Sequence, residues 1–498
     1  MTGIFNQNLK NKFVENFKES VGNTASNYYI AFGKFFNWDD DAIPPTPNSS
    51  VQTSHYDVNK EIIFGKRLYP EDIAYIVKKI TWTSGTVYDE YTHTDPNLFS
   101  KQFYVINSLG RVYKCLSNNY GAESTVEPNL TISRGDFNTA DGYKWKYLYT
   151  VNSINNKLFT TDDYIPVVPD QTVVASAEDG AIHVVTVDTV GNNYISSNGS
   201  IDSTISTTLF KISNTGASSI SGAHTASYFY IYAGSGSGAL TTISDYVVNN
   251  TGKYVYTTSA IFDTDSTSLY KIGPQILFDG DGFGASAISN VDANGSIDTI
   301  TVISRGRNYT YANVSVVSNS YFGSNATAHT IISPKGGHGS DPAAELGCDI
   351  LGMSVSTNLL DNFPEWAYYR QISLIYNPIA SANLTNYQDT TFNQMLNFGV
   401  LSAPTLLNEG EIVQGFNSQA TATVAYMNTT SIYVLGDVGQ FQPYETLTSL
   451  SSGKTVVIST INNKDLKPYS SEVFYFRNIE PISREGVRSE DVKLYFNF

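Results

Sequence analysis

Hydrophobic and polar positions alternate along most of this chain, in two distinct styles. In residues 140–151, ADGYKWKYLYTV, rings occupy every second position: Tyr143, Trp145, Tyr147 and Tyr149. A period of two sets those rings on one face of a strand and Lys144, Lys146, Leu148 and Thr150 on the other. Asp141-Gly142 supplies the turn before it, because glycine takes the positive φ of a tight reversal. The ringed face suits a core, a platform for a sugar or base, or a contact with another chain, and the segment alone leaves these open. The same large-residue style marks FYVINSLGRVYKCLSN at 103–118, which reads as two strands about Ser108-Leu109-Gly110. It marks IAYIVKKITWTSGTVY at 73–88, alternating around Ile80 and Trp82, and EWAYYRQISLIYNPI at 365–379. At the N-terminus the period changes. Phe5, Leu9, Phe13 and Phe17 recur every four residues with Val14 and Val21 beside them and Gly22 as a stop, which predicts an amphipathic helix. Its apolar stripe covers the chain's own sheet or clamps a neighbouring subunit.

The second style fills residues 171–345, where Ser, Thr, Gly and Asn dominate and weak repeats occur. GAIHVVTVDTVGNNY at 180–194 aligns with GSIDTITVISRGRNY at 295–309, and GFGASAISNV pairs with FGSNATAHTI. A smaller segment does the same: GEIVQGFNSQATATVAY at 410–426 echoes YETLTSLSSGKTVVIST at 444–460. The expected architecture is therefore mainly β: a layered antiparallel β-sandwich with an N-terminal helix and small inserted β modules. The parent domain occupies 1–170, 346–399 and 466–498, and self-contained modules occupy 171–345 and 400–465.

Composition narrows the function. A formal charge of −16 and the lack of any basic run argue against nucleic acid or an anionic membrane as the main partner. With 35 Tyr, 37 Gly and few charges, the profile is that of a turn-rich β protein. Two cysteines, Cys115 and Cys348, make no disulfide framework; they read as buried thiols or a single bridge. No stretch approaches the ~20 apolar residues of a membrane span, and MTGIFNQNLKNKFVENFKES lacks the apolar core of a secretory signal. A soluble protein made in a cytoplasm is expected, without membrane insertion.

Chemistry-bearing motifs are sparse. The six histidines are scattered without metal-ligand spacing. Asp39-Asp40-Asp41 sits in a proline-rich stretch read as extended loop facing water. Asp279 and Asp281 in FDGDGFGAS are the best calcium candidates, yet no third acid or closing Glu follows, and a plain turn explains them. SSGKTVV at 451–457 resembles the end of a P-loop but has Thr448 where the first glycine belongs, and a strand follows, so Lys454 reads as a surface residue. PKGGHGSDP at 334–342 offers backbone amides to an anion, and RGD at 134–136 is a three-residue coincidence in a turn. No nucleophile, metal or acid-pair signature points to an enzyme, and no cofactor is expected.

Several quoted segments nonetheless resemble a family: the baseplate wedge protein of T-even-type contractile-tailed phages that forms a dimer within each wedge. YIAFGKFFNWDDDAIPPTP is similar to its strand, Phe-Gly, Trp and Pro-Pro-x-Pro run. VYKCLSN, STVEPN and DGYKWKYLYTV resemble its block V-Y-[KR]-C-L, [IV]-E-P, D-G-Y-x-W-x-Y-L; YIPVVP, YYRQISLIYNPI and VKLYFNF resemble later elements. The resemblance spans about half the chain and leaves out the modules at 171–345 and 400–465. It implies a layered β-sandwich, a homodimer, other wedge proteins as neighbours, and a virion tail location. Under it, the rings build the sandwich core, while Lys144 and Lys146 are exposed or meet a partner, as do Phe5, Leu9, Phe13 and Phe17 if the helix is a clamp. A virion glycan-binding role for the inserted modules is the alternative.

Overall fold

A computed structural model describes the chain except at residues 1–6, 24, 48–50, 214–215, 318–321, 358–360, 362, 365, 402–406 and 484–489. The fold is mainly β, 47% strand and 10% helix, so its cores are made between sheets and inside barrels. The chain divides into two compact units: 1–76 with 157–160 and 348–498, and 77–156 with 161–347. Residues 1–170 contribute to both.

The first unit holds a five-stranded antiparallel sheet in the order Thr391–Asn393, Ile62–Arg67, Tyr28–Gly33, Tyr368–Tyr376, Glu472–Ser483. Its centre, YYIAFG, is buried at every position, which is why it reads as an unbroken apolar run rather than an alternating one. A second sheet pairs Glu490–Asn497 with Ile350–Thr357, whose Met353 to Ile350 pair with Ile73 to Ile76. The two sheets form layers, and Tyr475 meets Phe496 between them with ring centroids 4.9 Å apart. The helix Gln7–Gly22 lies on this body with Val14 and Val21 buried and Phe17 packed among Tyr28, Phe474 and Phe498. The predicted stripe therefore splits: Leu9 and Phe13 are 41% and 42% exposed, and Phe5 lies outside the described residues. A helix at Val51–Glu61, buried through Val58, was not expected.

The second unit is built on the sheet Tyr104–Ile106, Arg111–Ser117, Lys144–Thr150, Phe137–Asn138. The strand expected around Ile80 and Trp82 instead ends at Lys78, and both side chains pack against the aromatic cluster beyond it. Cys115 and Cys348 are both buried free thiols.

Among the described residues, three closed barrels of six strands carry the inserted segments. The internal repeats explain two of them. In one barrel, Ile182–Asn192 and Ile297–Arg307 are neighbours, each 11 residues long, and they meet at Val185 and Ile300. Each is followed by a tyrosine that plugs the barrel, Tyr194 and Tyr309. A Cβ on Gly323 would lie 2.2 Å from the Tyr194 ring, and one on Gly282 would lie 2.4 Å from Tyr309, so both glycines exist to let a ring close the barrel end. The barrel is thus two similar three-stranded halves, with its first strand separated from its last five. Between them sits a second barrel, from Ser197–Ser206 to Leu269–Gly273, whose end strands pair at Ser197 and Ile272. The third barrel runs from Leu396–Val400 to Thr455–Asn462 and also closes on its own ends, through Asn397 and Asn462. Its two echoing segments form the hairpins Ile412–Gly415 with Thr421–Met427 and Thr446–Ser449 with Thr455–Asn462, paired side by side.

Candidate functional site

The opening strand decides where chemistry can reside. Three of its rings, Tyr143, Trp145 and Tyr147, are buried with Tyr88, Tyr113, Cys115 and Phe137, while a register shift after Tyr147 leaves Tyr149 buried outside that cluster; Trp145 stacks on Tyr143 at 5.4 Å and meets Tyr88 edge-on at 6.0 Å. The opposite face differs from expectation. Lys146 is 2% exposed and Lys114, its cross-strand partner, 0%. Two lysines directly opposed on a sheet repel, and burial makes that worse, so the face needs countercharge from elsewhere. It comes from 231 residues away: Glu345, in the short helix Pro342–Glu345, accepts hydrogen bonds from Lys114 Nζ and, at 2.6 Å, from Gly339 N. Lys114 Nζ also contacts His338 Nδ1 and lies 3.9 Å from the Tyr91 ring centroid. Lys146 donates to Ser133 O at 2.6 Å. Lys144 is half-buried, with Nζ 3.5 Å from Asp136. The two lysines assigned to an outward face are thus turned inward, because Asp136 and the His183 carbonyl reach Lys144 and the Ser133 carbonyl reaches Lys146.

Beside them lies a second knot. Asp136 accepts from His183 Nδ1 at 2.9 Å and from Arg305 Nη2 at 2.8 Å. Burial alone would raise its carboxyl, but the hydrogen bond from His183 and the charges of Lys144 and Arg305 outweigh this and hold it well below the usual range. Burial pushes the Lys114 and Lys146 amines down to about 8. Burial, with the nearby Lys114, also keeps His338 well below the ordinary imidazole range. Histidines 183 and 338 stand ring to ring at 4.7 Å. The segment 171–345 is consequently not self-contained: His183, Arg305 and His338 neutralise or pack the back of the aromatic sheet.

The other motif residues are used as ties. Asp141 accepts from Thr125 N at 2.8 Å and Val126 N at 2.9 Å, joining STVEPN to DGYKWKYLYTV. Its carboxyl sits below the usual range because these bonds and that of Thr139 outweigh partial burial. Glu127 accepts from Ser108 N at 2.7 Å and fastens the 108–110 turn. Arg370 grips Asp41 with both fork nitrogens at 2.8 Å, so the third member of the Asp39-Asp40-Asp41 run is an arginine partner. Asp281 accepts from Thr310 N at 2.8 Å and Thr310 Oγ1, pinning a loop, while Asp279 sits exposed in a strand opposite Asn313. Among the described residues no three His, Cys, Asp or Glu side chains converge as metal ligands. The amides of PKGGHGSDP are met by the chain's own carboxylates, Asp179 on Gly336 N at 2.7 Å and Glu345 on Gly339 N. Lys454 is exposed in a hairpin turn.

Two open features remain. A cleft of about 910 Å³ in the first unit is lined mainly by polar residues such as Asn383, Asp389, Gln440 and Asn463, and the rings beside it, Tyr387 and Phe441, are buried. On the barrel at 396–462, four large apolar side chains stand exposed at the two ends of the strand pair Ile412–Gly415 and Thr446–Ser449: Phe416 and Tyr444, 72% and 73% exposed, at one end and Ile412 and Leu450, 47% and 57%, at the other, with Gln414, Thr446 and Thr448 between. Backbone bonds fasten them together, Leu450 N to Ile412 O at 2.8 Å and Phe416 N to Thr446 O at 2.9 Å. Sequence reading missed these residues because a lone ring, Phe416 or Tyr444, in a segment otherwise of small and polar residues carries no sign of whether it points in or out. No protein-family model and no curated protein matches the chain.

Proposed function

We propose that this chain is a structural subunit of the baseplate wedge of a contractile-tailed phage, working as a homodimer and holding neighbouring wedge proteins through its inserted barrels. The observation that carries the assembly role is the exposed pair of rings Phe416 and Tyr444 at one end of two paired strands, with Ile412 and Leu450 exposed at the other end. Two exposed rings held at the end of a hydrogen-bonded strand pair favour protein contact over solvent, since their burial is stabilising. The wedge assignment rests on the quoted resemblance, and the roles of its residues are consistent with it: Asp141, Glu127 and Arg370 tie segments of a scaffold together. In such a subunit the work is mechanical. Closed barrels present no open sheet edge, so they can stand out from a body without pairing indiscriminately.

The test is the double substitution Phe416→Ser/Tyr444→Ser, coexpressed with the wedge proteins of the same phage. The isolated variant should keep its unfolding midpoint, because both rings are already exposed. Its affinity for neighbours should fall roughly tenfold or more per ring lost. Unchanged incorporation into wedges would remove this face from the interface.

A further inference from the structure

Lysine and glutamate side chains are rarely buried outright, yet those of Lys114, Glu345 and His338 are 0%, 2% and 1% exposed. The three touch one another. Lys114 Nζ contacts both Glu345 Oε1 and His338 Nδ1, and His338 Nδ1 lies 3.0 Å from the same Oε1. The other carboxylate oxygen, Oε2, accepts from Gly339 N at 2.6 Å. The Tyr91 ring covers Nζ, with its centroid 3.9 Å away.

A plain ion pair needs only the two charges. This one also holds an imidazole nitrogen that reaches both partners and a backbone donor on the second oxygen, which are the parts of an amide-forming site. Burial draws the Lys114 amine down to about 8 and keeps His338 well below the ordinary imidazole range, so a free amine and a neutral ring are both accessible near neutral pH. No partner on His338 Nε2 fixes the ring in one tautomer, which leaves Nδ1 free to take a proton and pass it on.

We propose that Lys114 and Glu345 condense into an intramolecular isopeptide bond, with His338 as the proton carrier. The Lys114 nitrogen attacks Glu345 Cδ, and the Gly339 N–H stabilises the negative charge that develops on Oε2. His338 Nδ1 carries two of the three ammonium protons, one at a time, to Oε1, which leaves as water. The Nζ–Cδ bond forms, the Cδ–Oε1 bond breaks, and nothing is oxidised or reduced. Holding two reacting groups in place is worth an effective concentration of up to ~10⁵–10⁸ M, and exclusion of bulk water suppresses the reverse hydrolysis. A cavity of about 10 Å³, lined in part by His338, has room for the one water released. The bond joins the strand Arg111–Ser117 to the helix Pro342–Glu345 across 231 residues, enclosing both barrels of the segment 182–332 in one covalent ring. Lys146 keeps its amine, whereas Lys114 has a titrating one only before the bond forms. This chemistry is independent of the wedge assignment.

The test is the mass of the full wild-type chain under denaturing conditions. It should weigh one water less than its sequence, and proteolytic fragments bearing Lys114 and Glu345 should emerge joined. Full sequence mass, or a lost water that maps to another site, overturns the proposal. Lys114→Arg, which keeps the charge but offers no free amine, should restore the full mass. His338→Phe, which keeps a ring in place, should slow linkage by roughly 10²–10⁴-fold, read as linked fraction against time after synthesis; linkage as fast as wild type would overturn the relay. The wild-type mass decides even where a variant fails to fold.

Discussion

Trp145→Ala probes the core of the second unit most sharply. The indole is fully buried, stacked on Tyr143 and edge-on to Tyr88. A buried ring of this size removes about 150–250 Å² from water, worth about 4–6 kcal/mol at 25 cal/mol per Å² as an upper bound. One structural detail reduces the loss. Trp145 Nε1 is buried without a hydrogen-bond partner, and deleting it recovers about 1–3 kcal/mol of desolvation cost. The expected net destabilisation is about 3 kcal/mol, within the range for Trp→Ala in cores. Trp145→Phe keeps much of the ring and also removes the orphan N–H, so it should cost less than about 1.5 kcal/mol. Urea unfolding followed by circular dichroism reads both, as a shift in midpoint at constant slope. A wild-type midpoint for the alanine variant would refute the core placement. A phenylalanine variant as damaged as the alanine one would show that the N–H has a partner.

Two further outcomes follow from the buried lysines and the barrel ends. Lys114 and Lys146 release their protons near pH 8 in the folded chain and near 10.5 when unfolded, so the unfolded state holds more protons between those values and these groups make stability rise with pH across that window. Wild type should gain on Lys146→Met by up to about 3 kcal/mol from pH 7.5 to 10.5; parallel curves would mean Lys146 stays charged. Excising 197–273 with a short Gly-Ser bridge should leave the remainder folded, because Ser197 and Ile272 are paired neighbours and the barrel they close has its own core. Aggregation with every bridge length would show that this core is shared.

How much of this was legible in the sequence depended on whether the deciding contacts were local. The aromatic strand was legible from its period of two, up to the register shift that sets Tyr149 apart, and so were the repeats at 180–194 and 295–309. That the repeats pair in one barrel was not, since its first strand is cut off from the rest by another barrel. Lys146 read as solvent-facing because lysine normally is; burial and the Ser133 carbonyl hold it inside, and the charge of Glu345, far along the chain, acts on it there. The helix Val51–Glu61 escaped notice because Val58 is its one buried apolar residue among the side chains described. In the first helix, the four-residue stripe gave the right element but the wrong burial: Val14 and Val21 carry the packing, and Leu9 and Phe13 lie at its margin. Asp141, Glu127 and Arg370 stood out as motif residues, yet only three-dimensional pairing reveals them as ties between segments.

The central claim, an assembly subunit that works through its barrels, is tested most directly by a density map of the extended and contracted tail of a contractile-tailed phage found to encode this chain. The account predicts this chain in the baseplate, present as a dimer, with the 396–462 barrel pressing Phe416 and Tyr444 against a neighbouring protein. A baseplate without the chain, or that barrel face turned to solvent in both states, would contradict it.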